Sequence, residues 1–230
     1  MTLLKRTPAT LLACRRLPHA DARLCEALGL PAGAAGRSLA LVTCDQDDAL
    51  YAALDHATKI AAVDVLYARS FYAGSAHASG PHSGEALGVL SADEPESVEH
   101  GVQAVEFALR ELFAFYAVGD TGVSLFPAAI GSVGRYLSRE AGVPPGTPFG
   151  YFIAPPVEAL VGVDAALKAA DVALARFFGP PTETNFAGAY VTGSLDAVEA
   201  AARAFTDAVV SVAQDPSPRR AAPSRPTRGW

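Results

Sequence analysis

The chain has 230 residues, of which 50% are hydrophobic and 18% are charged, and its formal charge is −6. Charged residues, Gly or Pro interrupt every apolar stretch before the roughly 20 residues that a bilayer span requires, so we expect a soluble protein with no membrane partner. The apolar run at residues 11–14 is too short for a secretory signal. A large hydrophobic share with few charges also predicts apolar surface buried between subunits.

Charge is distributed unevenly between the body and the C-terminal tail. Residues 214–230 hold four arginines and one aspartate, so the tail carries +3 and the rest of the chain −9. An acidic body makes nucleic acid an unsuitable partner. The tail also holds four prolines, a composition typical of disorder, and contact with cargo is its alternative role.

The three cysteines, Cys14, Cys25 and Cys44, indicate a reducing compartment. Their number is odd, their spacing does not match a metal site, and their neighbours are apolar or small. We therefore expect free thiols and no disulfide framework.

Hydrophobic periodicity predicts the following elements in the first half of the chain: a helix near 22–28, a strand at 39–43, a helix at 47–61, strands at 63–67 and 86–90, and a helix at 93–112. Asp47 or Asp48 can cap the second helix through a side-chain oxygen. Residues 93–96 have the pattern of a capping box for the third.

The second half follows the same scheme: a helix near 128–139, a strand at 151–154, a helix at 155–167, strands at 172–176 and 187–191, and a helix at 195–212. Pro155 and Pro156 open the middle helix. Ser194 caps the last helix, which has the clearest amphipathic pattern in the chain.

The two halves are an internal repeat. The repeat is clearest in two matching motifs, Asp55-His-Ala-Thr-Lys59 and Asp164-Ala-Ala-Leu-Lys168, and three other matched pairs flank them. The separation between matched positions decreases from 113 to 109, 107 and 100 along the chain. Each decrease falls in a Gly/Pro-rich connection, as expected for two copies that kept their cores and shortened their loops.

Each unit therefore reads strand, helix, strand, strand, helix over roughly a hundred residues, which predicts an α/β (α+β) fold of the split βαβ or ferredoxin-like type. We expect a small sheet with helices on one face in each unit, and the two units side by side. This fold supports many unrelated functions, so the function has to be argued from a site.

Catalytic signatures are absent from the sequence, which lacks a nucleophile elbow and a glycine-rich phosphate loop. His77 and His82 share a loop with Glu85, a pattern that fits either a metal or acid/base cluster or a solvated loop. Asp45, Asp47 and Asp48 fit either a cation site or helix capping. The polar loop at 182–185 occupies the position of the His loop in the other unit, so the two loops can meet in a pore or small-molecule pocket.

Long strings of this chain resemble one family in a single order. The strings are residues 45–48, 55–59, 67–74, 154–159, 164–168, 180–185 and 192–194. They are similar to the tandem-domain shell proteins of ethanolamine-utilisation bacterial microcompartments, and the resemblance extends over about residues 8–215. The region 119–131 and the tail depart from the family pattern.

The resemblance implies two tandem, permuted microcompartment shell domains at residues 1–117 and 118–213, each a small, mostly antiparallel sheet with helices packed on it, followed by the tail at 214–230. It further implies a homotrimer that imitates a hexamer and tiles edge to edge with other shell proteins, in a microcompartment shell within the cytoplasm. Such a protein is not an enzyme and requires no cofactor.

The family's pores occur in closed and open forms, pass small metabolites, and bind ethanolamine when closed. Matching residue by residue, the resemblance assigns the ethanolamine contacts to Asp47, Asp48, Glu85, Phe115, Glu183, Thr184 and Asn185. It also matches Glu158 to a position that takes zinc; charge complementarity at a helix start is the other role for this residue.

Two other functions fit the same sequence. The polar loops could serve a small-amine sensor or carrier that forms no shell. An enzyme that uses His77 and His82 is the third alternative.

Overall fold

The computed structural model describes residues 4–71, 86–180, 182 and 184–217. In the first half the elements are β1 (Leu4–Pro8), β2 (Leu11–Leu17), α1 (Ala22–Ala27), β3 (Ser38–Cys44), α2 (Asp47–Ile60), β4 (Asp64–Ser70), β5 (Ala86–Ala92) and α3 (Pro95–Phe107), which continues as a π-helical turn (Ala108–Leu112). In the second half they are β6 (Ala114–Val118), β7 (Ser124–Ile130), α4 (Arg135–Ala141), β8 (Phe149–Ala154), α5 (Pro156–Ala169), β9 (Val172–Phe178), β10 (Ala187–Gly193) and α6 (Leu195–Gln214).

The strands form two antiparallel sheets. The four-stranded sheet has the order β2-β3-β5-β4, and the six-stranded sheet has the order β1-β6-β7-β8-β10-β9. β1 therefore lies at the edge of the second sheet, where Leu4 pairs with Val118 and Pro8 with Ala114. The mixed α/β class with antiparallel sheets is confirmed, whereas the domain limits at 117 and 213 remain predictions.

The repeat is present in the structure as well as in the sequence. The order β2-α1-β3-α2-β4-β5-α3 recurs as β7-α4-β8-α5-β9-β10-α6. Matched elements begin 113 residues apart at Leu11 and Ser124, 109 apart at Asp47 and Pro156, and 100 apart at Pro95 and Leu195. The two halves are therefore copies of one fold whose connections differ in length.

The first sheet is covered on both faces, which corrects the expectation of helices on one face. Alternate residues of a strand point to opposite faces of the sheet. Ala40 and Leu90 lie on the face that packs in the core with α2 and α3. Leu39 and Val89 lie in a smaller cluster with Cys25 of α1. Each sheet thus has its main helices on one side, and the short helix of the first half packs on the other.

Several local predictions were wrong for identifiable reasons. The strands β1, β2, β6 and β7 were not predicted, and residues 124–130, where a helix was expected from 128, form β7 instead, ahead of α4. The capping box at 93–96 does not form, since Glu94 is the N-cap without a side-chain capping bond and Asp93 pairs with Arg37 at 2.9 Å.

The prediction for Ser194 is confirmed: its hydroxyl accepts a hydrogen bond from the Ala197 amide at 3.2 Å.

The three thiols are free and two of them, Cys25 and Cys44, are buried. Burial raises the pKa of the Cys44 thiol to about 12, which keeps it protonated at neutral pH. Within the described part of the chain, no helix is long and apolar enough to cross a membrane.

A buried carboxylate joins the two halves. Asp55 of α2 is 1% exposed, and its two oxygens accept hydrogen bonds from the amides of Gly134 at 2.6 Å and Leu137 at 2.8 Å, at the start of α4. The guanidinium of Arg135 donates to the carbonyl oxygens of Thr58 and Val63 in return, each at 2.6 Å. We call these contacts the α2–α4 junction.

The close approach at this junction requires glycine at position 134. A Cβ atom there would lie 2.4 Å from the carbonyl oxygen of Asp55 and 2.6 Å from the hydroxyl of Thr58. Lys59 completes the junction by donating to the Ser132 carbonyl oxygen at 2.7 Å. The first Asp/Lys motif of the repeat is thus a contact between halves.

Asp55→Asn is expected to lower the free energy of unfolding by roughly 2 to 3 kcal/mol, because an amide nitrogen would face one of two buried N–H groups that now bond to a carboxylate. Urea denaturation of both proteins at one concentration measures the difference. The control is Glu199→Gln, which removes an exposed i,i+4 contact with Arg203 and should change stability by less than about 0.5 kcal/mol. Equal effects of the two variants would contradict the role given to Asp55.

Candidate functional site

A cavity of about 570 Å³ lies between the two halves of the chain. One side is formed by the start of α2 and by β4, and the other by α4, β8, β9 and β10. Its polar lining includes Asp47, Asp48, Tyr51, Ser70, Tyr136, Arg139, Tyr151, Arg176, Thr184 and Tyr190. The volume is in the usual range of small-molecule sites.

The acidic wall is formed by the first turn of α2. Asp47 and Asp48 are each only 7% exposed. The expectation that one of them caps the helix was wrong: the N-cap is Gln46, and no side-chain capping bond forms. The Gln46 side chain instead donates to the Thr7 carbonyl oxygen at 2.9 Å and accepts from the Phe115 amide at 3.3 Å.

Burial dominates the protonation equilibrium of Asp47. Desolvation raises the pKa of this carboxyl above its ordinary value, and hydrogen bonds from Ser70 and from the Asp48 amide, at 2.8 Å for the latter, oppose the rise only in part. A cation placed beside Asp47 would reverse this effect, since it would favour the ionised form.

The opposite wall holds an aromatic partner for Asp48. The hydroxyl of Tyr151 donates a short hydrogen bond to a carboxylate oxygen of Asp48. Complete burial, together with the Asp48 charge, raises the pKa of Tyr151 well above its ordinary value, so the phenol remains a neutral donor. Tyr190 packs edge-on against Tyr151 with ring centroids 4.7 Å apart.

Cationic side chains, including Arg69, Arg139 and Arg176, also line the cavity. The Arg176 guanidinium lies 5.1 Å from the Phe178 ring centroid and 3.4 Å from a Glu140 carboxylate oxygen. Arg139 donates to the Val65 carbonyl oxygen at 3.1 Å. The lining therefore holds both carboxylates and guanidinium groups, and Asp47 and Asp48 are the carboxylates suited to an ammonium group of a small polar ligand.

Three of the residues that the family resemblance assigned to ethanolamine line this cavity: Asp47, Asp48 and Thr184. Phe115 is buried behind the wall, where its ring centroid lies 5.8 Å from that of Phe186, a lining residue. Asn185 occupies a tight turn with φ 60° and is not part of the lining.

The remaining assigned contacts, Glu85 and Glu183, lie outside the described residues, as do His77 and His82. The ethanolamine assignments as a set, and any role of the histidine loop, therefore stay predictions.

Sequence reasoning missed the aromatic and cationic parts of the wall, notably Tyr51, Tyr151 and Arg176. Tyr51 lies one helical turn after Asp47, a spacing that places both on one face of α2, so the sequence contained a signal for this residue. Tyr151 lies in a predicted buried strand, and nothing local distinguishes its role from core packing.

Zinc at Glu158 finds no support from neighbouring ligands. In the described ranges, His, Cys, Asp and Glu side chains do not form a group of three or more that could hold a metal ion. Glu158 lies in the first turn of α5, where its charge complements the helix dipole.

The fold is that of a bacterial microcompartment shell protein. A crystal structure of the trimeric microcompartment shell protein PduB shares it with a TM-score of 0.73, over 86% of this chain and 87% of the PduB chain, at 18% identity. The crystal structure of the ethanolamine utilization protein EutL from Leptotrichia buccalis is more similar, with a TM-score of 0.89 and 43% identity over 94% of this chain and 99% of that chain.

Curated relatives place the chain in one family of such proteins. The microcompartment shell protein EutL of Clostridium perfringens is 47% identical over 181 residues, 78% of this chain and 83% of the relative. EutL of Salmonella typhimurium is 46% identical over 184 residues, 80% and 84% of the two chains. No protein-family model matches the chain. The chain belongs to the EutL family of bacterial microcompartment shell proteins, and the predictions of a shell role and of a non-enzymatic protein are confirmed.

Proposed function

We propose that this protein is a trimeric tile of a microcompartment shell and that the cavity between its halves binds ethanolamine. The observation that carries the ligand proposal is the pair of buried carboxylates, Asp47 and Asp48, in a cavity formed by both halves. A buried carboxylate is stabilised by a cation, and a primary ammonium supplies one together with three hydrogen-bond donors.

The cavity also fits the other end of an amino alcohol. The ammonium lies beside Asp47 and Asp48, and the Tyr51 and Phe186 rings supply aromatic surface for a cation. Thr184, which lines the same cavity, offers a side-chain hydroxyl as a partner for the ligand's hydroxyl. Relatives named for ethanolamine utilization favour ethanolamine among short amines.

A pore function follows if the ligand prefers one arrangement of the two walls. Ethanolamine then holds the acidic and aromatic walls together, and its release allows them to separate. A preference of about 1.4 kcal/mol for the closed form shifts the ratio of the two forms only tenfold, so several contacts have to contribute to the switch.

Asp48→Asn should weaken ethanolamine binding at least about tenfold in isothermal titration calorimetry, because it removes a buried negative charge from the ammonium site. The matched control is Asp207→Asn, which changes an exposed carboxylate on α6 and should leave affinity unchanged. Equal affinity in all three proteins would refute the ligand proposal.

Ethanolamine affinity should also fall as pH decreases through the raised pKa of Asp47. The folded protein protonates this group at a higher pH than an exposed aspartate with a pKa of 3.8, and protonation removes the charge that the ligand needs. The ligand stays an ammonium throughout, as a lysine side chain does. Titrations between about pH 4 and 8 measure the effect, and Asp47→Asn should abolish that part of it. A wild-type affinity constant over this range would contradict the site.

Light scattering of the purified chain should give three times the mass of one 23.7 kDa chain, and electron microscopy at high concentration should reveal sheets. Shell relatives and the apolar residues exposed on α5 support this expectation. A monomer that binds ethanolamine and never assembles would favour the sensor or carrier instead.

A further inference from the structure

Three arginines line the cavity that also holds Asp47 and Asp48. They are Arg69 of β4, Arg139 of α4 and Arg176 of β9. The proposed amine site uses the carboxylates and gives these guanidinium groups no part in binding. Each guanidinium group has five N–H donors and a permanent positive charge, so the three arginines are suited to an anion.

Each of the three guanidinium groups lies over an aromatic ring of the same cavity lining. The pairs, with the distance from the guanidinium carbon to the ring centroid, are Arg69 and Tyr67 at 5.8 Å, Arg139 and Tyr136 at 6.0 Å, and Arg176 and Phe178 at 5.1 Å. A ring contacts the planar face of a guanidinium group, whereas an anion accepts hydrogen bonds from its edge. The rings therefore position the cations and leave edge donors available to a ligand.

Backbone contacts bring the arginines of the two halves together at α4. Arg176 donates to the carbonyl oxygen of Glu140, the residue after Arg139, at 3.0 Å. Arg139 donates in turn to the carbonyl oxygen of Val65 at 3.1 Å, and Val65 lies on β4 with Arg69. Each bond engages a donor of one guanidinium group and leaves others free for an anion.

The formal charges of the cavity lining are balanced without a ligand. The three guanidinium groups are opposed by the carboxylates of Asp47, Asp48 and Glu140. Of the described carboxylates, Glu140 pairs with Arg176 at 3.4 Å, and none pairs with Arg69 or Arg139. An ammonium group at Asp47 and Asp48 leaves the arginines in excess, whereas a ligand that also carries an anion restores the balance.

The size of the cavity also favours a ligand larger than ethanolamine. Its volume is about 570 Å³, and cavities of roughly 300 to 1,000 Å³ are typical of drug-sized ligands. Ethanolamine has only four non-hydrogen atoms. The cavity therefore has room for a second ionic group joined to the amine.

We propose that Arg69, Arg139 and Arg176 bind the phosphate group of a small phosphate monoester whose ammonium group lies at Asp47 and Asp48. A phosphate monoester carries about 1.5 to 2 negative charges at neutral pH and three strong acceptor oxygens. That charge matches three guanidinium groups better than the single charge of a carboxylate. The phosphate site goes beyond the proposed function, and only the placement of the ammonium group rests on it.

Inorganic phosphate tests the arginines without the amine. In isothermal titration calorimetry, Arg69→Gln and Arg176→Gln should each weaken phosphate binding at least about tenfold, because each removes charge-assisted hydrogen bonds. The matched control is Arg203→Gln on α6, which removes an exposed arginine that contacts Glu199 at 3.9 Å and should leave phosphate affinity unchanged. Arg69 takes no part in the α2–α4 junction, and an unchanged circular dichroism spectrum verifies the fold of each variant.

Two amine-bearing probes test the joint placement and the type of phosphate. O-phosphoethanolamine, a free monoester, should bind at least about tenfold more tightly than inorganic phosphate or ethanolamine, because it engages both groups of side chains. Glycerophosphoethanolamine has the same ammonium end but a diester phosphate with one charge, as in a lipid headgroup, and should bind more weakly than the monoester.

The outcomes separate this proposal from that of the amine site. An unmodified protein that binds no phosphate, or equal losses in all three arginine variants, would overturn the phosphate site and leave ethanolamine binding as a separate result. Equal affinity for O-phosphoethanolamine and inorganic phosphate would overturn the joint placement. A diester that binds as tightly as the monoester would overturn the monoester assignment. Arginine-dependent phosphate binding without ethanolamine binding would support the phosphate site and refute the amine site.

Discussion

The position of one half of the chain relative to the other depends on the buried carboxylate of Asp55. It accepts hydrogen bonds from two amides that begin α4, groups that have no partner within their own helix. The contact fixes α4 against α2 at a distance that only glycine at position 134 permits. Because α2 also carries Asp47 and Asp48, and α4 carries Tyr136 and Arg139, the same contact sets the width of the cavity.

The two Asp/Lys motifs show that the same residue types have different roles when one copy is buried and the other is exposed. Asp55 is buried and hydrogen-bonded to backbone amides, and desolvation raises its pKa despite those bonds. Asp164 is 61% exposed at its side chain and forms an ion pair with Lys168. An exposed pair of this kind contributes about 0 to 1 kcal/mol in one isolated chain, whereas removing a buried partner leaves unsatisfied groups behind. The two copies of the motif therefore contribute different amounts to the free energy of unfolding.

The sequence predicted those parts of the fold that depend on local periodicity. The helices α2, α5 and α6 have long apolar stripes, and their limits were close to the observed ones. β1 was missed because its partner β6 is about 110 residues away and its own residues include Lys5 and Arg6. β7 was missed because Pro127 and its alanines have low strand propensity, which its pairing with β8 overrides.

The candidate site was predictable from its acids and from family resemblance, but not from its aromatic wall. Asp47 and Asp48 are adjacent and conspicuous at a strand-to-helix connection. The Tyr151 hydroxyl meets Asp48 across 103 residues of chain, a contact that local patterns do not encode. The loops that hold Glu85 and Glu183 complete the predicted contact set, and their contribution depends on residues beyond the described ranges.

The difference between Asp48 and Val157 at matched positions has an evolutionary consequence. In a ring of six identical domains, a substitution that improves ligand binding at one boundary between domains occurs at all six boundaries. It then also weakens the packing that holds the assembly together. Fusion of two copies into one chain removes that conflict in the proposed trimer, since each substitution then occurs at every second boundary. In the proposed assembly, duplication lets one boundary carry the acidic residues of α2 while the other keeps the apolar residues of α5, so ligand binding and cohesion can change independently.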